Sequence, residues 1–321
     1  MRRRVFIASA AAAPFTARAQ EPGRTYRIGF LTAIGRRSPP TLAFLDELRR
    51  SGFIEGHNLT VLAEGFDADN ADLAALAVKL VAAAPDVLMA GPELPLRAVK
   101  AATDKIPVVG LTADMVAEGF AASLARPGGN ITGISLLTPE LDAKRQGLLV
   151  EMVPAARRLA VLYDPNLTQK PHLEELAGAA QSRGVALSAI AVFRHEEIAA
   201  AIDAAKTEGA DGLNILPSPL VTRGVSIALI VERLSALHLP AIFPWPEVAD
   251  AGGLLAYGSR FVDMYRQRAR MAVKILRGAK PADMPVEQPT RFDLVLNLKA
   301  ARAIGLSPPP ALLARADEVI E

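Results

Sequence analysis

Residues Ser123 to Ser135 read SLARPGGNITGIS, and this stretch decides the fold. It lies between two long runs of alternating strand and helix signals. Pro127 keeps Arg126 out of the helical region, and Gly128-Gly129 admit positive φ angles closed to other residues. Asn130 to Ile134 then alternates polar and apolar, as a short strand does. A turn followed by a strand, with an α/β unit on either side, is what a chain uses to cross between two lobes. The same residues would also suit a surface loop inside one large domain, so the flanking sequence has to decide.

Upstream, Tyr26 to Thr32 predicts a buried strand. A helix carrying Leu42, Leu45 and Leu48 follows, with Gly52 at its C-cap. Asn58 to Phe66 predicts a second strand, and Leu73, Leu76, Ala77, Leu80 and Val81 recur at helical spacing. Asp86 to Gly91 and Pro107 to Thr112 are short apolar strands with a helix between them. Strands separated by helices of about a dozen residues indicate right-handed crossovers and a parallel sheet.

Downstream the rhythm repeats. Helices are predicted at 141–153, 170–183, 195–208, 222–237 and 264–276. Strands are predicted at 158–163, 185–192, 211–216, 240–243, 252–258 and 292–298. The segment from Pro308 to Glu321 is expected to end in a short helix. Two α/β halves flank the quoted stretch, so it reads as a crossing between lobes.

At 321 residues and 51% hydrophobic, the chain can bury the cores of about two domains. Arg2, Arg3 and Arg4, the apolar run Val5 to Ala13 and Ala17-Arg18-Ala19 together make a secretory signal peptide over residues 1–19. Arg3-Arg4-Val5-Phe6 also fits a twin-arginine export pattern. The apolar run is far shorter than the roughly 20 residues that span a bilayer. Loss of the leader removes four arginines and no acid, taking the net charge from +2 to −2. The mature chain is therefore not basic and carries no nucleic-acid signal. There is no Cys, hence no disulfide, no thiolate metal site and no thiol for a lipid anchor. A free periplasmic protein is expected.

Enzyme motifs are absent. His57, His172, His195 and His238 stand far apart, and no H-E-x-x-H, G-x-S-x-G, Walker loop or G-x-G-x-x-G occurs. No cofactor is expected. In open parallel sheets, ligands bind at the carboxyl ends of the strands. The loops there are Thr32 to Arg36, Gly91 to Pro95 and Thr112 to Met115 in the first half. In the second they are Asp164 to Thr168, Pro217 to Leu220 and Pro244 to Glu247.

The candidate ligand residues are Thr32, Glu93, Asp114, Asn166, Thr168, Ser218 and Trp245. Glu93 and Asp114 are acids placed after first-half strands, Asn166, Thr168 and Ser218 are donors placed after second-half strands, and Trp245 offers an aromatic face. Each polar residue equally suits a helix cap or turn, and Trp245 equally suits packing between lobes.

Several segments resemble one family, the substrate-binding components of ABC transporters that include tryptophan-binding members. They are RIGFL (27–31), GFIEGHNL (52–59), ASLARPGGNITGIS (122–135), AVLYDPN (160–166), LPAIFPWPEVADAGGLLAYG (239–258), ILRGAKPADMPVEQPTRFDLVLNLKAARAIGL (275–306) and PPALLARADEVIE (309–321). The resemblance covers essentially all of the chain after the leader.

It implies two Rossmann-like α/β/α lobes joined by three crossing strands, the periplasmic binding protein type I-like fold. Crossings would fall near Thr132–Thr138, Leu254–Ser259 and Val286–Arg291. Residues 25–132 with 257–287 would form the first lobe, and 136–253 with 291–321 the second. The resemblance further implies hinge closure on a small-molecule ligand, a separate ABC permease and ATPase as partners, and a monomer. The chain departs from the family's Gly-Thr-Pro-type turn after the third strand. Gly91-Pro92-Glu93-Leu94-Pro95 places an acid there, which attracts an ammonium and repels a carboxylate. An exported enzyme acting in the same cleft is the alternative reading.

Overall fold

The computed structural model describes residues 23–136, 138–222 and 224–321. The leader expected over residues 1–19 lies outside them. Five strands form one sheet: Tyr26–Leu31 (β1), Leu59–Val61 (β2), Val87–Ala90 (β3), Val108–Thr112 (β4) and Ile131–Ser135 (β5). Their order is β2-β1-β3-β4-β5, and every neighbouring pair is parallel. Pro39–Arg50 (α1), Leu73–Ala82 (α2) and Glu93–Ala102 (α3) connect the first four strands. Strands β3, β4 and β5 are buried along their whole length, as strands with both faces covered must be.

The second half opens with Thr138–Met152 (α4), Arg158–Tyr163 (β6), Lys170–Gln181 (α5), Ala186–Ala191 (β7), Ile198–Thr207 (α6) and Gly212–Ile215 (β8). Pro219–Thr222 (α7), Gly224–Ala236 (α8), Ala241–Phe243 (β9), Pro246–Asp250 (α9), Leu255–Gly258 (β10) and Phe261–Leu276 (α10) follow. Asp293–Asn297 (β11), Leu298–Ala303 (α11), Pro310–Leu313 (α12) and Glu318–Ile320 (β12) end the chain. The second sheet has the order β12-β11-β10-β9-β8-β6-β7, parallel except where β10 meets β11.

Two local expectations change. The second strand is shorter than expected and ends at Val61; the chain then enters a turn in which Gly65 has φ +87° and a Cβ would fall 2.0 Å from the Phe30 carbonyl oxygen. The chain ends as a strand and not a helix: Val319 and Ile320 pair with Leu296 and Asn297, which adds β12 to the exposed edge of β11. The quoted stretch also divides more finely than its sequence suggests. Residues 131–135 are a full strand of the first sheet, and α4 already begins at Thr138.

Gly133 of β5 faces Gly110 of β4, one glycine on each strand, where the two backbones come close. Its φ is +152°, and a Cβ there would sit 2.1 Å from the Gly110 carbonyl oxygen. The bare backbone leaves β5 free to bond on its other side. Glu287 N–H donates to Gly133 O at 2.8 Å, and Ser135 N–H donates to Glu287 O at 2.9 Å. Thr132 Oγ1 donates to Met284 O at 3.0 Å. The segment returning to the second sheet is thus laced onto the strand that first left the first sheet.

The chain passes between sheets three times, after β5, after β10 and again before β11. At the first passage β5 ends at Ser135 and α4 begins at Thr138, while the far end of α4 feeds the start of β6. A helix that returns antiparallel to its following strand must begin beside that strand's carboxyl end. The carboxyl ends of both sheets therefore meet at the crossings. The second passage agrees, since β10 ends at Gly258 and α10 starts at Phe261. Helix α10 packs back on α1 and the first sheet. Buried Arg268 pins it there, donating to Ala90 O at 2.9 Å and Val109 O at 3.0 Å.

Candidate functional site

On the second sheet, two of the loops at the carboxyl ends are organised by one carboxylate. Asp164 follows β6 directly and is 7% exposed. Its Oδ1 accepts from the Asn166 backbone N–H at 2.9 Å and the Asn166 side-chain amide at 3.0 Å. Its Oδ2 accepts from Ser218 Oγ at 2.9 Å, reaching the loop after β8. The Asp164 carbonyl accepts from Thr168 N–H at 2.8 Å. Asn166, Thr168 and Ser218, read from the sequence as separate donors, thus share one anchor. Asn166 is exposed and Thr168 half-buried, while Ser218 is buried.

On the first sheet the acids cluster after β3 and β4. Asp114 Oδ1 accepts from Val116 N–H at 2.9 Å and Ala117 N–H at 3.0 Å, so one oxygen caps the turn that follows β4. Glu118, which the sequence reading did not single out, holds that turn. It accepts from Thr112 Oγ1 and, at 2.9 Å, from Asp114 N–H. Burial pushes the Glu118 carboxyl up from its ordinary value, against the lowering effect of those two bonds. Nearby Glu93 pushes in the same direction. Glu93 opens α3 and pairs with Arg97 at 2.7 Å. No periodicity or motif points to Glu118; only the turn that brings it back on Thr112 does.

Thr32 stands at the end of β1 with 2% exposure, its Oγ1 accepting from Ile34 N–H at 3.1 Å. Trp245 is 8% exposed and lies against Phe261, ring centroids 4.5 Å apart. The indole therefore packs the loop after β9 onto the first turn of α10. Glu247 Oε1 accepts from Phe261 N–H at 2.7 Å in the same corner, and burial pushes its carboxyl up.

Beneath the crossings lies a buried polar group that the sequence reading missed. Asp142 on α4 is 1% exposed and accepts from the Arg145 guanidinium and from His172 Nε2, the latter at 2.9 Å. Arg145 Nη1 donates to Tyr257 O at 3.0 Å. The bond to Asp142, above the opposing effect of burial, raises the His172 pKa above its ordinary value. Among the described residues no cluster of His, Cys, Asp and Glu suits a metal ion, and no helix is long and apolar enough to cross a membrane. A wider hollow lined by Leu239, Gly253 and Ala300 lies at the amino ends of β9 and β10 and carries none of the candidate residues.

Two α/β lobes, three crossings and polar loops gathered at the carboxyl ends of both sheets define a two-lobed binding protein of the periplasmic type I-like class. A family model described as ABC transporter substrate binding protein matches residues 42–320, and the chain belongs to that family. It is 23% identical over 267 residues to a tyrosine-binding protein of Clostridioides difficile (strain R20291), covering 82% of this chain and 75% of that one. Its fold is similar to that of a conserved domain protein from Vibrio cholerae, with a TM-score of 0.82, 24% identity and coverage of 92% and 99% of the two chains. It is also similar to an ABC domain from Streptococcus pneumonia in complex with L-Trp, with a TM-score of 0.81, 24% identity and coverage of 92% and 100%.

Proposed function

We propose that this chain is the exported, periplasmic solute-binding component of an ABC importer. It captures an amino acid or another amine-bearing compound, aromatic ones included, between its lobes. It works as a monomer and presents the closed, loaded form to a separate permease and ATPase. The lobes, one built on the five-stranded sheet and the other on the seven-stranded sheet, move about the three crossings.

One observation carries the reading: acids gather after the first sheet's strands, and hydroxyl and amide groups gather around Asp164 after the second's. An ammonium suits the first set; on the second, Ser218 Oγ–H is given to Asp164, so the remaining N–H of the Asn166 amide and the Thr168 hydroxyl are the groups offered to a carboxylate. Asp114 keeps one oxygen beyond its turn bonds and is the proposed ammonium partner, with Glu93 adding negative field. Thr32 and Trp245 complete the walls. The tyrosine- and L-Trp-associated relatives support an aromatic amino acid as the first compound to try.

A thermal-shift screen of amino acids and amines tests the reading. A ligand at 100 times its dissociation constant adds about 2.7 kcal/mol of stability. A hit recovered chemically unchanged supports capture. A hit converted to product would establish the alternative, an enzyme in the same cleft.

A further inference from the structure

The three crossings contribute to the wall of a small cavity. Leu136 comes from the first crossing, Ser259 from the second and Pro289 from the third, while Arg145, Pro217 and Trp245 complete the part of the wall that matters here. It leaves about 10 Å³ for the centre of a water molecule. That is the space of a single water.

Among the described residues, two of these side chains carry a buried N–H with no hydrogen-bond partner, Arg145 Nε and Trp245 Nε1. Both residues are more than nine-tenths buried. Neither can readily turn elsewhere. The other guanidinium nitrogens of Arg145 are engaged by Tyr257 O and Asp142. Trp245 is held between Pro244 and Pro246, with its ring on Phe261. Buried donors in folded proteins almost always meet an acceptor. A metal ion is excluded by the chemistry, because the groups at hand are donors and one belongs to a cation. A carboxylate has three heavy atoms and does not fit the space.

We propose that this cavity is a binding site for one buried water, which accepts from Arg145 Nε–H and Trp245 Nε1–H. Its wall takes residues from all three crossings, so the water is a pin at the hinge, and rotation of one lobe against the other must reshape its site. This goes beyond the transport reading and does not depend on it.

The test uses the unliganded wild-type protein. A crystal structure that resolves ordered water is expected to show one peak within about 3.2 Å of both nitrogens. Trp245 is the only Trp of the chain, so labelled protein gives a single indole N–H signal. That signal is expected to show a cross-peak to a long-lived water. In Arg145→Lys, which keeps the charge but moves the donor, the cross-peak is expected to be lost or the signal to shift. Should that variant fail to fold, the two wild-type measurements decide alone. An empty cavity, a water bonded to only one of the nitrogens, a protein acceptor on either nitrogen, or a larger molecule in the space would each overturn the proposal.

Discussion

Ser218 Oγ donates to Asp164 Oδ2 at 2.9 Å, while the other oxygen of the same carboxylate accepts from the backbone N–H and the side-chain amide of Asn166. One side chain at the end of β6 thereby sets the loop after β8 as well as its own turn. Removing it with Asp164→Ala should lower unfolding free energy by about 1–3 kcal/mol, and Ser218→Ala by about 1 kcal/mol. The double variant should lose less than the sum, because the Asp164–Ser218 bond is counted in both singles. Denaturant unfolding of the four proteins measures the coupling.

Asp114→Asn separates charge from capping. Asn keeps a side-chain oxygen for Val116 and Ala117 N–H, so the melting temperature should stay close to that of the wild type. Affinity for an amine-bearing ligand should fall about tenfold to a hundredfold, the value of a charge-assisted bond. Calorimetry on the same preparation reads it, and unchanged affinity would move the ammonium site away from Asp114.

Glu247 tests the buried corner beside Trp245. Its pKa is raised on folding by burial, so the folded state holds a proton that the unfolded chain, near the ordinary value of 4.5, has released. Stability from this group is present below that pH and is lost as pH rises toward the folded value. Glu247→Gln should flatten this part of the stability profile while keeping an oxygen for Phe261 N–H. Melts from acid to neutral pH, wild type against variant, show whether the two curves diverge upward from about 4.5.

His172 has the opposite charge type and the same direction. Its pKa is raised by the bond to Asp142, so its contribution is full below the ordinary value of 6.5 and is lost as pH rises through the folded value. The imidazole should titrate above 6.5 by NMR, and His172→Gln should lose the corresponding decline in stability above that pH. An imidazole titrating at or below 6.5 would contradict the role of Asp142.

Hinge closure predicts a smaller molecule in solution. Saturating ligand should lower the radius of gyration measured by X-ray scattering. Superimposable curves with and without ligand would show that binding does not move the lobes.

Much of this architecture was legible before any coordinates. The apolar runs VLMA and VVGLT are strands buried on both faces, and the helices between them impose parallel pairing. The ends were not legible. Glu318 to Ile320 looked like the continuation of a helix because three residues show no period, and only the open edge of β11 makes them a strand. Likewise Asn166, Thr168 and Ser218 could be named one by one from their turns, but nothing in the chain links Ser218 to Asp164 across 54 positions. Glu118 and Arg145 sit in ordinary helix-like or turn-like context and carry no local signal at all.

The amino-acid order alone determined what depends on neighbours within a few residues. The strand and helix alternation, the turn at Pro127-Gly128-Gly129, the acids and hydroxyls placed after strands, and the lack of thiols are all of this kind. Tertiary structure decided everything that depends on distant groups sharing one space. It turned Asp114 into a cap with one remaining oxygen, set Trp245 against Phe261, and placed the Asp142–Arg145–His172 group beneath the crossings. The physical reason is range. Backbone preference and hydrophobic period act over a turn or two of chain, whereas burial and hydrogen-bond satisfaction are settled only when segments far apart in sequence compete for the same few ångströms.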